Sequence, residues 1–174
     1  MTESVPEAAP MRPAAPDDAE DIARLRDRLA GWMLDNGIVQ WLPGEYPAAL
    51  VREEAERGEW FVWRESAALI AAVRLIWRDP AFWGGDDEAG YVHGLMVAPE
   101  RRGRDSGARI LRFCAERTLA NGITRQRLDT AASNDVLRKY YTAQGFVEVG
   151  ETMLPPQFQG AFRVILYEKS LDPA

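Results

Sequence analysis

The 174-residue sequence predicts a single α/β domain in which helices flank a mixed sheet. Apolar residues recur at helical spacing in some segments and form short strand-like runs in others, so both kinds of element are present. The middle of the chain alternates strand, helix, strand and helix, which is typical of a layered structure with some parallel strand pairing. A hydrophobic content of 47% and a charged content of 28% are those of an ordinary globular protein.

The first half of the chain is punctuated by residues that start and stop helices. Pro16 followed by two acids suits a helix start, and Asn36-Gly37 and Gly58 suit two helix ends. Glu65-Ser66 suits the turn of a hairpin. The predicted elements are, in chain order, a strand at Met11–Pro13, a helix from Pro16 to Gly37, a helix near Tyr46–Arg57 and hairpin strands at Trp60–Arg64 and Ala68–Trp77.

The second half of the chain continues the alternation and ends in two strands. The predicted elements are, in chain order, a loop at Asp79–Gly90, a strand at Tyr91–Val97, a helix at Arg102–Asn121, a strand at Arg127–Ala131, a helix at Asn134–Gln144 and strands at Phe146–Met153 and Phe162–Lys169. These elements define one domain at residues 11–169. We expect residues 1–10, rich in Pro, Ala and Glu, to be a disordered tail and residues 170–174 to be a second tail.

Charge and composition exclude several classes of function. A net charge of −6 argues against a nucleic-acid partner, because such binding draws on a basic surface. No apolar run is long enough to form a membrane helix, and the amino terminus does not resemble a secretory signal. Cys114 is the one cysteine and falls in an inward helical stripe, so we interpret it as core. We expect a cytoplasmic protein with no membrane partner, as a monomer or a homodimer.

The stretch from Leu95 to Leu111 carries the strongest functional signal. A strand ends there, a Gly/Arg-rich turn follows and a helix begins. Free N–H groups at a helix start bind phosphate oxygens, small residues let a phosphate approach the backbone, and arginines add charge. The turn is neither a Walker A loop nor a G-x-G-x-x-G turn. These residues by themselves suit a phosphate-bearing ligand and an ordinary tight strand-to-helix turn equally well.

Three motifs in order resemble the GCN5-related N-acetyltransferase (GNAT) family. The family's acetyl-CoA signature is Gln/Arg-x-x-Gly-x-Gly/Ala after a strand. The matching segments are, in chain order, Met11-Arg12-Pro13-Ala14 with Asp17-Asp18-Ala19, the six residues from Arg102 to Gly107, and Ala132-Ser133-Asn134 followed by Tyr141 and Gly145-Phe146. The resemblance covers about residues 11–169. It implies a mostly antiparallel sheet with a parallel central pair, acetyl-CoA as co-substrate and no metal.

The resemblance also implies a set of residues that bind acetyl-CoA. Backbone groups of the strand end would hold the acetyl carbonyl and pantetheine, the turn would hold the pyrophosphate, and an asparagine would bond the pantetheine arm. The implied residues are Leu95, Met96 and Val97; Arg102, Gly103, Arg104, Asp105, Ser106, Gly107 and Ala108; and Asn134. Asp105 departs from the family's usual glycine. A carboxylate there favours the helix start but repels a pyrophosphate.

Acetyl transfer to an amine needs an acid for the departing thiolate and a base for the amine proton. The resemblance implies that Tyr141 is the acid, and its spacing also suits plain core packing. His93, the only histidine, is one base candidate. Strand alternation places it on one face with Tyr91, Leu95 and Val97. Asp129 on the neighbouring strand is the second candidate, and a structural role is the alternative for both.

Aromatic and acidic residues suggest where the acceptor binds. Aromatic faces together with carboxylates suit a cationic amine. The candidates are Trp41, Glu45, Asp86 and Asp87, and Glu45 is also a weaker base candidate. We therefore predict an N-acetyltransferase that acts on a primary amine of a small molecule by direct transfer in a ternary complex. The alternatives are acetylation of protein amino termini or lysines, and a non-catalytic acyl-CoA-binding regulatory module. The use of acetyl or of a longer acyl group stays open.

Overall fold

Seven strands form one mixed sheet in the order β1-β2-β3-β4-β5-β7-β6. The computed structural model describes residues 7–158 and 162–172. The strands are β1 Arg12–Pro13, β2 Trp60–Glu65, β3 Ala68–Ile76, β4 Gly90–Val97, β5 Arg125–Ala131, β6 Val147–Met153 and β7 Arg163–Ser170. Every neighbouring pair is antiparallel except β4 and β5, which are parallel. The predicted fold class, a mostly antiparallel sheet with a parallel central pair, is confirmed.

Five helices cover the two faces of the sheet in the described part of the chain. They are α1 Ala19–Asp35 after a 3₁₀ turn at Pro16–Asp18, α2 Ala48–Glu56, α3 Pro80–Trp83, α4 Ser106–Ala120 and α5 Asp135–Ala143. The apolar stripes of α1 and α2 pack on one face against Trp60, Val62 and Met96. Those of α4 and α5 pack on the other face around Val73 and Tyr167. None of these helices is both long and apolar enough to cross a membrane.

Two helices differ from the sequence prediction. The short helix α3 lies inside the predicted loop, because four residues carry no periodicity that could reveal it. Helix α4 begins at Ser106 rather than at Arg102. Gly103 and Asp105 adopt left-handed backbone angles, φ 72° and 55°, and such residues cannot continue a right-handed helix.

The ordered chain extends beyond residues 11–169 at both ends. The disorder predicted for residues 1–10 falls partly on residues 1–6, which lie outside the described residues. Ala9, however, is buried against α4, and its amide donates to the carbonyl of Arg109 at 3.0 Å. In the predicted carboxyl-terminal tail, Leu171 is buried and its amide donates to the carbonyl of Thr124 at 2.8 Å. Residues 173 and 174 lie outside the described part.

A β-bulge at Gly94 reverses the alternation of β4. Ala72 of β3 pairs with Met96 and Arg74 pairs with His93, so β4 has one extra residue between these pairs. Gly94 takes a φ of 53° there. As a result Leu95 packs on the α4 face of the sheet, whereas Met96 packs on the α1 face.

The prediction that Tyr91, His93, Leu95 and Val97 share one face is therefore wrong. Before the bulge Val92 faces the α4 side, and after it Leu95 and Val97 do. Tyr91 and His93 consequently lie on the opposite face from Leu95 and Val97. Simple alternation fails because the extra residue shifts the pleat by one position.

Strands β4 and β5 separate soon after they pair. Their register includes Gly90 with Gln126 and Tyr91 with Arg127, and no pair beyond these joins the two strands in the described residues. Beyond these pairs the two strands are not paired with each other, which leaves residues 92–97 of β4 and 128–131 of β5 without a strand partner on the sides that face each other. The separation opens a cleft in the middle of the sheet.

The bulge predicts that Gly94→Ala destabilises the fold. A left-handed residue with a Cβ costs about 1–2 kcal/mol, and this Cβ would lie 2.9 Å from Cη2 of the buried Trp60. We expect the melting temperature to fall by about 2–8 °C. Gly31→Ala in α1 is the matched control, because its Cβ would meet no atom within 4 Å. Equal melting temperatures for Gly94→Ala and the parent protein would contradict the strain.

Candidate active site

A cavity of about 840 Å³ occupies the cleft between β4 and β5. Its walls come from α1 and the loop after it, from β4, from the turn before α4, from β5 and from α5. One end lies at the Gly/Arg-rich turn, and the other lies among acids and aromatic rings around Asp79 and Trp41. The cavity thus runs from the turn that the sequence assigns to the donor to Trp41 and Glu45, two of the four residues that it assigns to the acceptor.

The Gly/Arg-rich turn presents unpaired backbone donors. In the part of the chain that the structure describes, the N–H groups of residues 103–108 donate to no backbone carbonyl. They lie at the amino terminus of the fifteen-residue helix α4, where the helix dipole also favours an anion. Gly107 lets the side chain of Tyr140 approach closely, because a Cβ there would lie 2.5 Å from the Tyr140 hydroxyl. The turn therefore has the backbone donors that a phosphate group needs.

Most of the residues predicted to bind acetyl-CoA line this cavity. They are Leu95, Val97, Arg102, Gly103, Asp105, Ser106, Gly107, Ala108 and Asn134. Two do not line it. Met96 is buried in the α1-side core because the bulge turns it away, and Arg104 is exposed outside the cavity wall. The family's usual glycine is replaced by Asp105 at a left-handed position, where a non-glycine residue carries strain.

Asn134 connects the two sides of the cleft. Its Oδ1 accepts from the amide of Leu137 at 3.2 Å and so caps α5. Its Nδ2 donates to Oε1 of Gln40 at 2.9 Å, and the same oxygen accepts from the hydroxyl of Thr130 at 3.1 Å. Gln40 is a cavity residue that the sequence did not predict. No local pattern marks this contact, because Gln40 lies in the loop after α1, far from Asn134 in the chain.

Tyr141 belongs both to the core and to the cavity wall. Its ring packs against those of Tyr140, Phe146 and Tyr167, with centroid distances of 5.6, 6.0 and 6.1 Å. The residue is 8% exposed and lines the cavity. Burial raises the pKa of Tyr141 above that of a free phenol, so the side chain keeps its proton at neutral pH.

His93, Asp79 and Asp129 form a titratable cluster in the cavity wall. Nε2 of His93 lies 2.8 Å from Oδ2 of Asp79, and Nδ1 lies 3.6 Å from Oδ2 of Asp129. One atom from each residue lies within 4.8 Å of the other two, a spacing that a metal ion also tolerates. Because each ring nitrogen faces its own carboxylate, the arrangement favours proton transfer. The structure thus brings two of the three base candidates, His93 and Asp129, together and adds Asp79.

The charges within the cluster shift its pKa values. Burial opposes the imidazolium form of His93, but the hydrogen bond to Asp79 and the charges of Asp129 and Asp79 outweigh it. The pKa of His93 therefore lies above its ordinary value. Burial raises the pKa of Asp129 to about 6, although the nearby His93 opposes the shift.

A buried network holds the acceptor end of the cavity. The hydroxyl of Tyr46 donates to both oxygens of Glu54, at 2.6 and 2.8 Å, and Nε1 of Trp60 donates to Oε2 at 2.7 Å. Arg74 completes the network by pairing with Glu54 at 3.3 Å. Tyr46, Trp60 and Arg74 all line the cavity. The network therefore fixes three wall residues through one buried carboxylate.

Trp41 and Glu45, two of the predicted acceptor residues, are also in the wall. Glu45 pairs with the buried Arg26 at 3.3 Å, and the guanidinium of Arg26 lies 4.7 Å from the centroid of the Trp41 ring. Arg26 thus covers one face of this ring. The side chain of Trp41 therefore forms part of the cavity wall, and its cation–π partner is Arg26 of the protein itself.

Asp86 and Asp87 are not part of the cavity wall. Their side chains are 78% and 63% exposed and pair with Arg78 and Arg127 respectively. Asp79, eight residues or fewer away in the same loop, is the acid that reaches the cavity. All acids of this loop look alike in the sequence, and only the path of the loop around α3 separates them.

Two phenylalanines, Phe82 and Phe158, also lie at this end of the cavity. The ring of Phe82 lies 5.4 Å from the imidazole of His93 and 5.7 Å from the ring of Phe158. Phe82 comes from α3, and Phe158 follows β6. The acceptor end of the cavity therefore combines carboxylates with aromatic faces.

Comparison with known proteins gives consistent matches. The Acetyltransferase (GNAT) family model matches residues 25–146. The N-acetyltransferase YesJ of Bacillus subtilis (strain 168) is 34% identical over 148 residues, which cover 79% of this chain and 81% of YesJ. A GNAT-family acetyltransferase from Listeria monocytogenes 4b F2365 is 26% identical, with a TM-score of 0.75 and coverage of 92% of this chain and 94% of that one. The yncA structure from Salmonella typhimurium, described as a putative acetyltransferase with its cofactor acetyl-CoA, shares the fold at a TM-score of 0.67 and 12% identity, over 94% of each chain.

The raised pKa of Asp129 predicts a pH-dependent effect of Asp129→Asn on stability. The folded pKa of about 6 exceeds the ordinary 3.8, so ionising this carboxyl costs nothing below pH 4 and more as the pH rises through 6. Above pH 6 the cost is on the order of 3 kcal/mol. We expect Asp129→Asn to raise the melting temperature by about 6–12 °C at pH 8 and by about half as much at pH 5.

Thermal unfolding at the two pH values tests this effect. Asp35→Asn is the control, because Asp35 is exposed at the end of α1 and outside the cavity. It should change the melting temperature equally at both pH values. An equal gain for Asp129→Asn at pH 5 and pH 8 would show that ionisation is not the cause.

Proposed function

Because this chain belongs to the acetyltransferase (GNAT) family, we propose that it transfers an acetyl group to the primary amine of a small molecule, directly within a ternary complex. The chain is an N-acetyltransferase, and acetyl-CoA is its co-substrate. The observation that carries the choice of acceptor is the recessed Asp79–His93–Asp129 cluster. Its side chains are 7%, 18% and 16% exposed, which suits a small amine that enters the cavity whole.

The turn before α4 suits the pyrophosphate of the co-substrate. The free N–H groups of residues 103–108 are the donors that an anion needs, and the side chain of Arg102 adds a positive charge at the cavity. Leu95 and Val97 lie on the part of β4 that β5 does not pair with, so backbone donors there are free for the acetyl carbonyl. Bound acetyl-CoA supplies the acetyl thioester, whose C–S bond breaks as the new C–N bond forms.

The charge balance of the cluster favours a cationic acceptor. Two carboxylates and one imidazole leave a net negative charge when all three groups are ionised. A protonated amine beside Asp129 compensates this charge. The rings of Phe82 and Phe158 enclose the same end of the cavity and suit an apolar or aromatic body on the amine.

Two side chains of the protein move the protons. We assign the base to His93, whose Nδ1 accepts a proton from the ammonium and so frees the lone pair of the amine nitrogen. We assign the acid to Tyr141, whose protonated hydroxyl donates to the departing sulfur, and the second proton that the nitrogen loses as the amide forms restores the Tyr141 hydroxyl. The raised pKa keeps the phenol protonated before the reaction, and it also makes this hydroxyl a weaker acid than a free phenol.

A panel of amines tests the acceptor class. Thiol release from acetyl-CoA is measured with arylalkylamines, alkylamines, diamines, amino acids, and peptides with free amino termini or lysines. We expect kcat/KM for the best small cationic amine to exceed that for the best peptide by at least about tenfold, because the buried cluster excludes a bulky chain. A clear preference for peptides would reject the small-molecule acceptor and favour protein acetylation.

Tyr141→Phe tests the acid. The substitution removes only the hydroxyl, so the ring keeps its packing and the free energy of unfolding should change by about 1 kcal/mol at most. We expect kcat to fall by about 10²- to 10⁴-fold, the usual contribution of a positioned acid. Binding of acetyl-CoA, measured by calorimetry, should stay unchanged.

Tyr167→Phe provides the matched comparison for this variant. Tyr167 of β7 contacts the Tyr141 ring and lies outside the cavity wall. Its substitution should leave kcat close to that of the parent protein. Near-parental kcat in Tyr141→Phe, under conditions where the chemical step limits the rate, would assign the proton to water or to the substrate instead.

A further inference from the structure

The side chain of Asp79 does not cap helix α3, although Asp79 directly precedes that helix. It is the residue before α3, where an aspartate ordinarily accepts a hydrogen bond from the first turn of the helix. No such capping bond forms, and only the backbone carbonyl of Asp79 accepts from the amide of Trp83, at 3.0 Å. The carboxylate turns instead to Nε2 of His93, at 2.8 Å. The Asp79 carboxylate therefore contacts a residue fourteen positions later in the chain instead of capping α3.

The contact with His93 is the one charged contact of a buried carboxylate. Asp79 is 5% exposed, and within residues 7–158 and 162–172 no arginine or lysine pairs with it. A buried carboxylate without a partner is costly, so the structure keeps it there only because His93 compensates it. The loop does not depend on this carboxylate for its shape. Arg78 pairs with Asp86 and Glu88, and the hydroxyl of Tyr91 donates to the carbonyl of Asp87 at 2.8 Å.

The surroundings of His93 define what this contact does. Asp79 reaches its Nε2 from the loop before α3, and Asp129 faces its Nδ1 from β5. Arg74 of β3 lies opposite His93 of β4 in the strand register, and the positive charge of Arg74 opposes the imidazolium form of His93. When the Asp79 carboxylate is ionised it can only accept a hydrogen bond, and Nε2 then carries the hydrogen. The neutral imidazole then has its lone pair on Nδ1, which faces Asp129 in the cavity wall.

We propose that Asp79 is a positioning residue for the base of the acetyl transfer. It holds His93 in the tautomer whose Nδ1 is free, and it stabilises the imidazolium that forms when Nδ1 takes the proton from the ammonium. The proton leaves Nδ1 for solvent after the product departs. This role rests on the proposed function of His93 as the base.

Nuclear magnetic resonance of the parent protein tests the first half of the proposal without any substrate. His93 is the only histidine, so ¹⁵N-histidine labelling of the chain without an affinity tag gives one imidazole to follow. We expect the neutral ring to carry its hydrogen on Nε2. A ring with its hydrogen on Nδ1 would overturn the proposal, and this measurement needs no variant.

The same titration in Asp79→Asn tests the charge. The variant has nearly the same shape but lacks the negative charge that favours imidazolium. We expect the midpoint of the His93 titration to fall by about one pH unit or more. In Asp35→Asn, an exposed acid outside the cavity, it should not move. An unchanged midpoint in folded Asp79→Asn would overturn the proposal.

Kinetics with the best amine of the panel test the second half. In Asp79→Asn we expect kcat to fall by about 10- to 100-fold. The acidic limb of the kcat/KM profile should move to lower pH in parallel with the His93 titration, and KM for acetyl-CoA should stay within about twofold. A merely structural role would lower the melting temperature and leave the acidic limb in place, and that result would overturn the proposal.

The two proposals fail in different ways. If amines are acetylated but Asp79→Asn leaves the titration and the acidic limb unchanged, the proposed function stands and the role of Asp79 falls. If the parent protein acetylates no small amine, the proposed function falls together with the catalytic half of this inference. The tautomer and the titration midpoint still decide whether Asp79 controls the protonation of His93.

Discussion

The contact between the backbone of Gly94 and the ring of Trp60 is the constraint on which the site depends. Gly94 takes a left-handed φ of 53°, and an added Cβ would lie 2.9 Å from the buried indole. The resulting bulge turns Leu95 and Val97 to the α4 face while His93 stays on the other. Trp60 is itself held by the carboxylate of Glu54, which also binds Tyr46. The donor and acceptor sides of the cavity are therefore set by one chain of contacts through the core.

The Asp79–His93–Asp129 end of the cavity carries an excess of negative charge. Asp79 is buried and Asp129 half-buried with a single imidazole between them, and desolvation raises the pKa of Asp129 to about 6. A fold selected for stability alone would avoid this excess of negative charge. An ammonium group compensates it, so the same feature that lowers stability provides attraction for the proposed acceptor. Sites of this kind commonly exchange stability for function.

The donor end is built on backbone rather than on side chains. Six consecutive N–H groups, those of residues 103–108, have no backbone acceptor in the described structure. Gly107 leaves room for the hydroxyl of Tyr140 of α5. Asp105 is the exception, because its charge opposes an anionic ligand and its φ of 55° is strained. Its carboxylate also contributes, after burial, to the raised pKa of Tyr140, so the charge acts within the turn.

The sequence by itself determined the order of elements, the Gly/Arg-rich turn, and the places of Tyr141 and His93 on α5 and β4. These depend on periodicity, caps and glycines, which act over a few residues. Tertiary structure alone decided that Asp79 reaches the cavity while Asp86 and Asp87 stay outside it, and that Gln40 meets Asn134. Tertiary structure also decided the position of the β-bulge at Gly94, because the sequence does not show that Trp60 lies where a Cβ of residue 94 would be. Contacts between distant segments follow from strand register and packing, and local sequence patterns carry no information about either.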